Sequence, residues 1–295
     1  MGFLLAHIVL NTAFSLCAQI ARDRRFDYYL VTGLNYLTGL TGALIWLVLQ
    51  PERSVDGVTI ALGAVQGAQF AITVGAIYYL LARSGVGVTF VLIRLSVVIP
   101  TLVSLLGFNE ILDVAAAMGL IAMLAAIVIL GLGPVGRAGG GVTWDTALLL
   151  FVAIGVTGIG WTASKLFTEW RPESFRGTYV VSVFAAASLV AAFTFLGRRR
   201  LQPASELAGL EAAGRPRLGP MMLTGLLMGT ANVAQNIFLI AALAVVPGSI
   251  AFPMTTALSV VLTTLAGMVV WGERHGPLTS VGIGLAVAGL VLVNV

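Results

Sequence analysis

The chain has 295 residues, 59% of them hydrophobic and only 9% charged, with a mean hydropathy of +1.02. Soluble domains carry roughly a quarter charged residues, so 16 basic and 12 acidic side chains cannot coat a water-soluble globule. The same shortage of charge excludes a disordered chain. The net charge of +4 comes from one lysine and arginines placed mostly in the gaps between apolar runs. That placement fits topology-setting charge better than a nucleic-acid surface.

A helix needs about 20 apolar residues to cross the hydrocarbon, and ten such runs follow one another: 2–21, 29–49, 58–82, 86–108, 114–133, 144–167, 177–197, 219–243, 248–271 and 278–294. The first has no basic leading region, so it reads as a membrane helix and not as a cleaved signal. It carries His7, Asn11 and Ser15 at four-residue spacing, one polar face that must meet protein or a cavity. The second holds Asn35 and Tyr36. The third has Gln66, Gln69 and Thr73 on one face, and the eighth, its counterpart, has Asn232, Gln235 and Asn236. Amides both donate and accept, which suits an amino acid or a hydroxylated metabolite, and equally suits a network that locks helices together.

Arg94 stands out. It lies about 12 Å into the fourth run, a depth at which a charge faces the bundle interior or a water-filled cavity. Its guanidinium can hold a carboxylate or phosphate through paired hydrogen bonds. No Asp or Glu lies in the interior of any run, since Glu110, Asp113, Asp145, Glu169 and Glu273 all sit at ends or in loops, so the interior selects against cations. Trp161 and Lys165 in the sixth run are secondary candidates, Lys165 being near enough to its helix end to snorkel to the interface. Between the runs only 198–220 is long, which leaves little room for a soluble domain.

The single Cys17 excludes a disulfide framework and a cysteine metal cluster. Two distant histidines, no embedded acid and no Gly-x-Ser-x-Gly leave no catalytic constellation, no metal site and no cofactor motif. No phosphate-binding loop is present, so direct ATP drive is excluded and a gradient remains.

Sliding the sequence by 163 residues lays Leu95-Ser-Val-Val98 on Leu258-Ser-Val-Val261, Thr101 on Thr264, Glu110 on Glu273 and Gly85 on Gly248. Ten of the 36 positions from Leu95 to Leu130 are identical without a gap. The polar matches are the informative ones. Two five-helix halves follow, 1–133 and 144–295, joined by a linker over 134–143. Because five is odd, the halves enter the membrane from opposite sides, the inverted-repeat architecture of many secondary transporters.

Two such repeats, each with Glu after its fourth helix, resemble the drug/metabolite transporter superfamily and within it the EamA-type branch. The residues that carry the resemblance are Leu95-Ser-Val-Val-Ile-Pro100…Phe108-Asn-Glu110, Leu258-Ser-Val-Val261…Trp271-Gly-Glu273, and Trp161-Thr-Ala-Ser-Lys165 followed by Pro172 and Arg176. Asn109 departs from the usual Gly-Glu pair, which Gly272 keeps. The resemblance implies a multi-pass protein of a cell membrane, bacterial inner membrane by preference, that exports small metabolites and is no enzyme. The superfamily's small multidrug-resistance branch uses a first-helix Glu against cationic drugs; Leu4 to Ile20 has none, which favours anionic or zwitterionic substrates such as amino acids.

The expected partners are a small-molecule substrate and the lipid bilayer, with no nucleic acid, and a monomer suffices because one chain carries both halves. The candidate substrate-binding set is Arg94, Asn11, His7, Gln66, Gln69, Asn232, Gln235, Asn236, Tyr36 and Trp161. Glu110 and Glu273 read as anchors of turns at helix ends. A non-transporting receptor or structural subunit is the alternative. Loops after odd-numbered helices hold eleven arginines, against Arg53, Lys165, Arg171 and Arg176 on the other side. The positive-inside rule therefore puts both termini outside, whereas the resemblance implies termini inside.

Overall fold

In a computed structural model the chain is helical throughout residues 1–131, 144–201, 218–272 and 276–293, the residues that the structure describes, apart from short turns. The helices are α1 (Gly2–Asp23), α2 (Tyr28–Leu49), α3 (Gly57–Arg94), α4 (Val98–Gly107), α5 (Val114–Gly131), α6 (Trp144–Trp170), α7 (Arg176–Leu201), α8 (Leu218–Leu243), α9 (Gly248–Trp271) and α10 (Pro277–Val293). Single 3-10 turns precede α4, at Leu95–Val97, and α7, at Glu173–Phe175. Gly2–Asp23, Tyr29–Leu49, Glu173–Gly197, Leu218–Leu243 and Gly248–Val270 are each long and apolar enough to cross a bilayer. The expected linker 134–143 and Glu273 lie outside the described residues.

Helix starts are written locally. Asp27 Oδ1 accepts from the backbone N–H groups of Tyr29 and Leu30, Asp56 from Thr59 and Asp113 from Ala116, so three loop carboxylates cap α2, α3 and α5. Helix α9, which follows Pro247, has no such cap of its own.

One boundary differs from the sequence expectation. The gap expected at 83–85 is absent, and α3 runs on to Arg94. As a straight rod its 38 residues would reach about 57 Å, roughly twice the hydrocarbon thickness. Packing nonetheless separates two passes. Thr73 Oγ1 lies 2.9 Å from Thr157 Oγ1, and Ile99 abuts Gly158, the next residue of α6. Gln66 to Thr73 run antiparallel to α6, whereas Ile99 to Glu110 run parallel to it. The chain therefore reverses between Thr73 and Ile99, and both expected spans are present.

The packing obeys a two-fold rule that exchanges helix n with helix n+5. α1 packs on α8 as α6 packs on α3; α2 packs on α8 as α7 packs on α3; α1 packs on α9 as α6 packs on α4. The pairs α2–α7, α4–α9 and α5–α10 map onto themselves. These pairings close a ring in the order α1, α8, α2, α7, α3, α6, α4, α9 and back to α1, with α5 and α10 paired outside it against α9. Every neighbouring pair in the ring joins one half of the chain to the other. The inverted repeats are interlaced, not set side by side.

Lipid tails offer no hydrophobic drive for helix association, so close packing and polar contacts must hold such a ring. Gly67 shows the first: a Cβ there would stand 2.0 Å from the Val183 carbonyl oxygen of α7. Two apolar clusters fill the bundle. One gathers Phe252 and Met254 of α9 with Leu4 and Ile8 of α1 and Met123 and Ile127 of α5. The other stacks Phe167 of α6 on Tyr179 of α7 at 4.1 Å, beside Phe184 and Tyr36. Large apolar residues such as Phe193 and Val269 stay exposed on the outside, where lipid would meet them.

Candidate functional site

Inside the ring the polar side chains form one connected network. Tyr179 OH donates to Gln66 Oε1 at 2.5 Å and approaches Ser164 Oγ at 3.4 Å. Gln66 Nε2 donates to Asn236 Oδ1 at 3.3 Å. Asn236 Nδ2 and Gln235 Nε2 both donate to Asn232 Oδ1, at 3.2 and 3.0 Å. Asn232 Nδ2 in turn donates to Asn35 Oδ1 at 3.2 Å. His7 joins from α1, 2.8 Å from the Gln235 carbonyl oxygen. That oxygen only accepts, so Nδ1 carries the proton, and the lone pair of Nε2 is buried without a partner. α3 and α8 are not neighbours in the ring, so the Gln66–Asn236 bond crosses its interior.

Five of the expected site residues, His7, Gln66, Asn232, Gln235 and Asn236, are thus brought together. The others lie elsewhere. Gln69 Nε2 donates to Thr73 Oγ1 at 3.0 Å, while its Oε1 is buried without a partner against Gly160. Asn11 Nδ2 donates to Ser259 Oγ of α9 at 3.0 Å. Tyr36 is buried in the second apolar cluster. Trp161 packs on Phe252 with ring centroids 5.8 Å apart; α6 and α9 are separated in the ring by α4, so this contact also crosses the interior. Arg94 is half-buried where α3 gives way to the 3-10 turn, and it makes no hydrogen bond or ion pair among the described residues.

Lys165 overturns its sequence reading. It does not snorkel: it is 2% exposed and lies 2.6 Å from Glu110 Oε1, with Glu169, one turn on, as a second carboxylate partner. The Phe108 ring covers it at 5.3 Å. It is not a loop charge, so only Arg53, Arg171 and Arg176 remain as basic loop-end residues on the face that carries Met1. Glu110 does more than anchor its own turn. Gly248 N donates to its Oε1 at 2.9 Å and Ser249 N to its Oε2 at 2.8 Å, so this one carboxylate caps α9 from the other half of the chain. Burial pushes the Glu110 carboxyl up, but Lys165 and the two backbone donors outweigh it and hold it below the usual range.

The turn before Glu110 explains Asn109. Its φ of 52° matches the 65° of Gly272 after α9, so both repeats end their fourth helix in the left-handed region. Asn is the side chain best suited to replace Gly there.

Among the described residues ten helices, five of them long and apolar enough to cross a bilayer, enclose this polar interior, and sequence comparison decides the family. The profile of the EamA-like transporter family matches residues 145–295, half of the chain. The chain belongs to the EamA-like transporter family. It is a multi-pass integral membrane protein, and the family's members are membrane transporters. No curated protein sequence matches this family member. A solved crystal structure superposes on it over 100% of this chain and 99% of the other, with a TM-score of 0.72 at 17% identity; that likeness concerns the fold alone.

Proposed function

We propose that this EamA-like protein is a secondary-active exporter of small polar metabolites that carry a carboxylate, amino acids among them, in a bacterial inner membrane. It works by alternating access as a monomer, without metal or cofactor. Arg94 carries the reading: a half-buried guanidinium at the junction between α3 and α4, without an ion-pair partner among the described residues. The other buried cation, Lys165, is already neutralised by Glu110 and Glu169. Arg94 is therefore the cation left to bind an anion, by paired hydrogen bonds. The amides around Asn232 would recognise the rest of the solute, since they offer both donors and acceptors.

Interlacing constrains the motion. Because every ring contact joins the two halves, the moving bodies are sets of helices drawn from both halves, not one five-helix half rocking on the other.

Counterflow uptake into proteoliposomes, with a labelled amino-acid and organic-anion panel, tests the proposal beside Arg94→Gln. Uptake of a carboxylate-bearing solute by the wild type, lost in Arg94→Gln, is the expected result. Uptake unchanged by the substitution would remove Arg94 from the site and leave the amide network. Binding without uptake would favour a receptor.

A further inference from the structure

We infer that Lys165 and the amino-terminal end of α9 form a second carboxylate-binding station, which Glu110 fills in this conformation and a substrate carboxylate fills when Glu110 withdraws. The inference rests on the reading of a carboxylate-bearing substrate and adds a site distinct from Arg94.

The geometry is that of a built anion site with an internal occupant. The Glu110 carboxylate receives Lys165 Nζ at 2.6 Å and Gly248 N at 2.9 Å on Oε1, and Ser249 N at 2.8 Å on Oε2. All three donors belong to the second half of the chain, whereas Glu110 belongs to the first. Helix amino termini with free N–H groups bind carboxylates readily, but such an end alone would mean little. Here a buried ammonium completes it, and a fully buried hydroxyl beside it, Ser104 Oγ, has no hydrogen-bond partner. A buried hydroxyl normally has a partner, so the site holds more hydrogen-bonding capacity than Glu110 uses. Gly248 keeps the space: a Cβ there would stand 2.4 Å from Ser104 Oγ and 3.1 Å from Lys165 Cδ.

Among the described residues, Arg94 and Lys165 then stand as buried or half-buried cations toward opposite faces. Arg94 lies toward the face opposite Met1 and Lys165 toward the Met1 face, with the Trp161–Phe252 contact one turn inward from Lys165 and Gly248. A solute carboxylate leaving Arg94 would meet, at the other end of its path, a site of the same chemistry closed by the protein's own carboxylate. Exchange of one carboxylate for another keeps Lys165 and the α9 N–H groups satisfied throughout, which avoids the cost of a stranded buried charge.

The test is thermal unfolding of purified protein in detergent, titrated with sodium acetate and, as controls, sodium chloride and acetamide. Glu110→Ala and Glu110→Gly both vacate the site. Acetate is expected to raise the Tm of each by about 3 °C, saturably, with neither control doing so. The wild type should not respond, and adding Lys165→Gln should abolish the response. No acetate response in either Glu110 variant, a response that survives Lys165→Gln, or an equal response in the wild type would each overturn the inference. The readout involves no transport, so a failure here is distinct from loss of the Arg94 reading, which uptake alone decides.

Discussion

Glu110, in the turn after α4, and Lys165, near the end of α6, meet at 2.6 Å, although each belongs to a different half of the chain. Glu110 also holds the first two N–H groups of α9. One side chain therefore ties α4, α6 and α9 together at the Met1 face. Removing one member of a buried ion pair strands the other, at a cost of about 3–5 kcal/mol, whereas replacing both by apolar residues is far milder. Lys165→Met should accordingly lower stability strongly and Glu110→Met/Lys165→Met less than the sum of the single changes. A double-mutant cycle of thermal unfolding in detergent measures this, and strict additivity would show that the pair is not coupled.

The same carboxylate gives a pH signature. Its folded-state pKa is depressed, so its contribution to stability is present above the ordinary carboxylate range and is lost as pH falls through the folded value. Unfolding of the wild type should be insensitive to pH near neutrality and weaken on acidification below about 4. Glu110→Gln should lack that component. Melting both proteins between neutral and acid pH checks it; parallel curves would mean that other acids dominate.

Glycine spacing makes a steric prediction. Gly67→Ala would drive a methyl to within 2.0 Å of the Val183 carbonyl oxygen, while Gly155 has nothing within 4 Å of its Cβ position. α3 and α7 would have to separate, and their backbones cannot yield as a flexible side chain would. Gly67→Ala should reduce both folded yield and Tm, and Gly155→Ala should leave both near wild type. Similar behaviour of the two variants would contradict the close approach of α3 and α7.

What the sequence made legible follows from range. Apolar runs of about 20 residues are the strongest signal a membrane chain offers, and the starts of α2, α3 and α5 and the end of α9 are readable because Asp27, Asp56, Asp113 and Gly272 act locally, whereas the boundary at 83–85 is not. The stripe of His7 and Asn11 correctly announced a face turned toward protein. Which amide meets which is not legible in the sequence: the bond that forms joins Gln66 to Asn236, residues far apart in the chain. Tyr179 and Ser164 went unnoticed, since a tyrosine near a helix end reads as an interface residue. The burial of Lys165 is not legible in the sequence because it depends on Glu110, far away in the chain.

Asn109 offers the last prediction, where local conformation can be separated from contact. Its φ of 52° is a conformation that costs an ordinary L-residue roughly 1–2 kcal/mol, that glycine adopts freely and that Asn tolerates best among the rest. Asn109→Ala should therefore destabilise by about 1 kcal/mol, while Asn109→Gly, which restores the Gly-Glu pair present at Gly272, should be near neutral. The turn also sets the direction in which Glu110 leaves α4, so Asn109→Ala should weaken the tie to Lys165 as well. If the loss is conformational only, Asn109→Ala should cost the same in the Lys165→Met background; if it also misplaces Glu110, the cost there should shrink. Equal stability of the Ala and Gly variants would show that the left-handed turn is not what holds Glu110 in place.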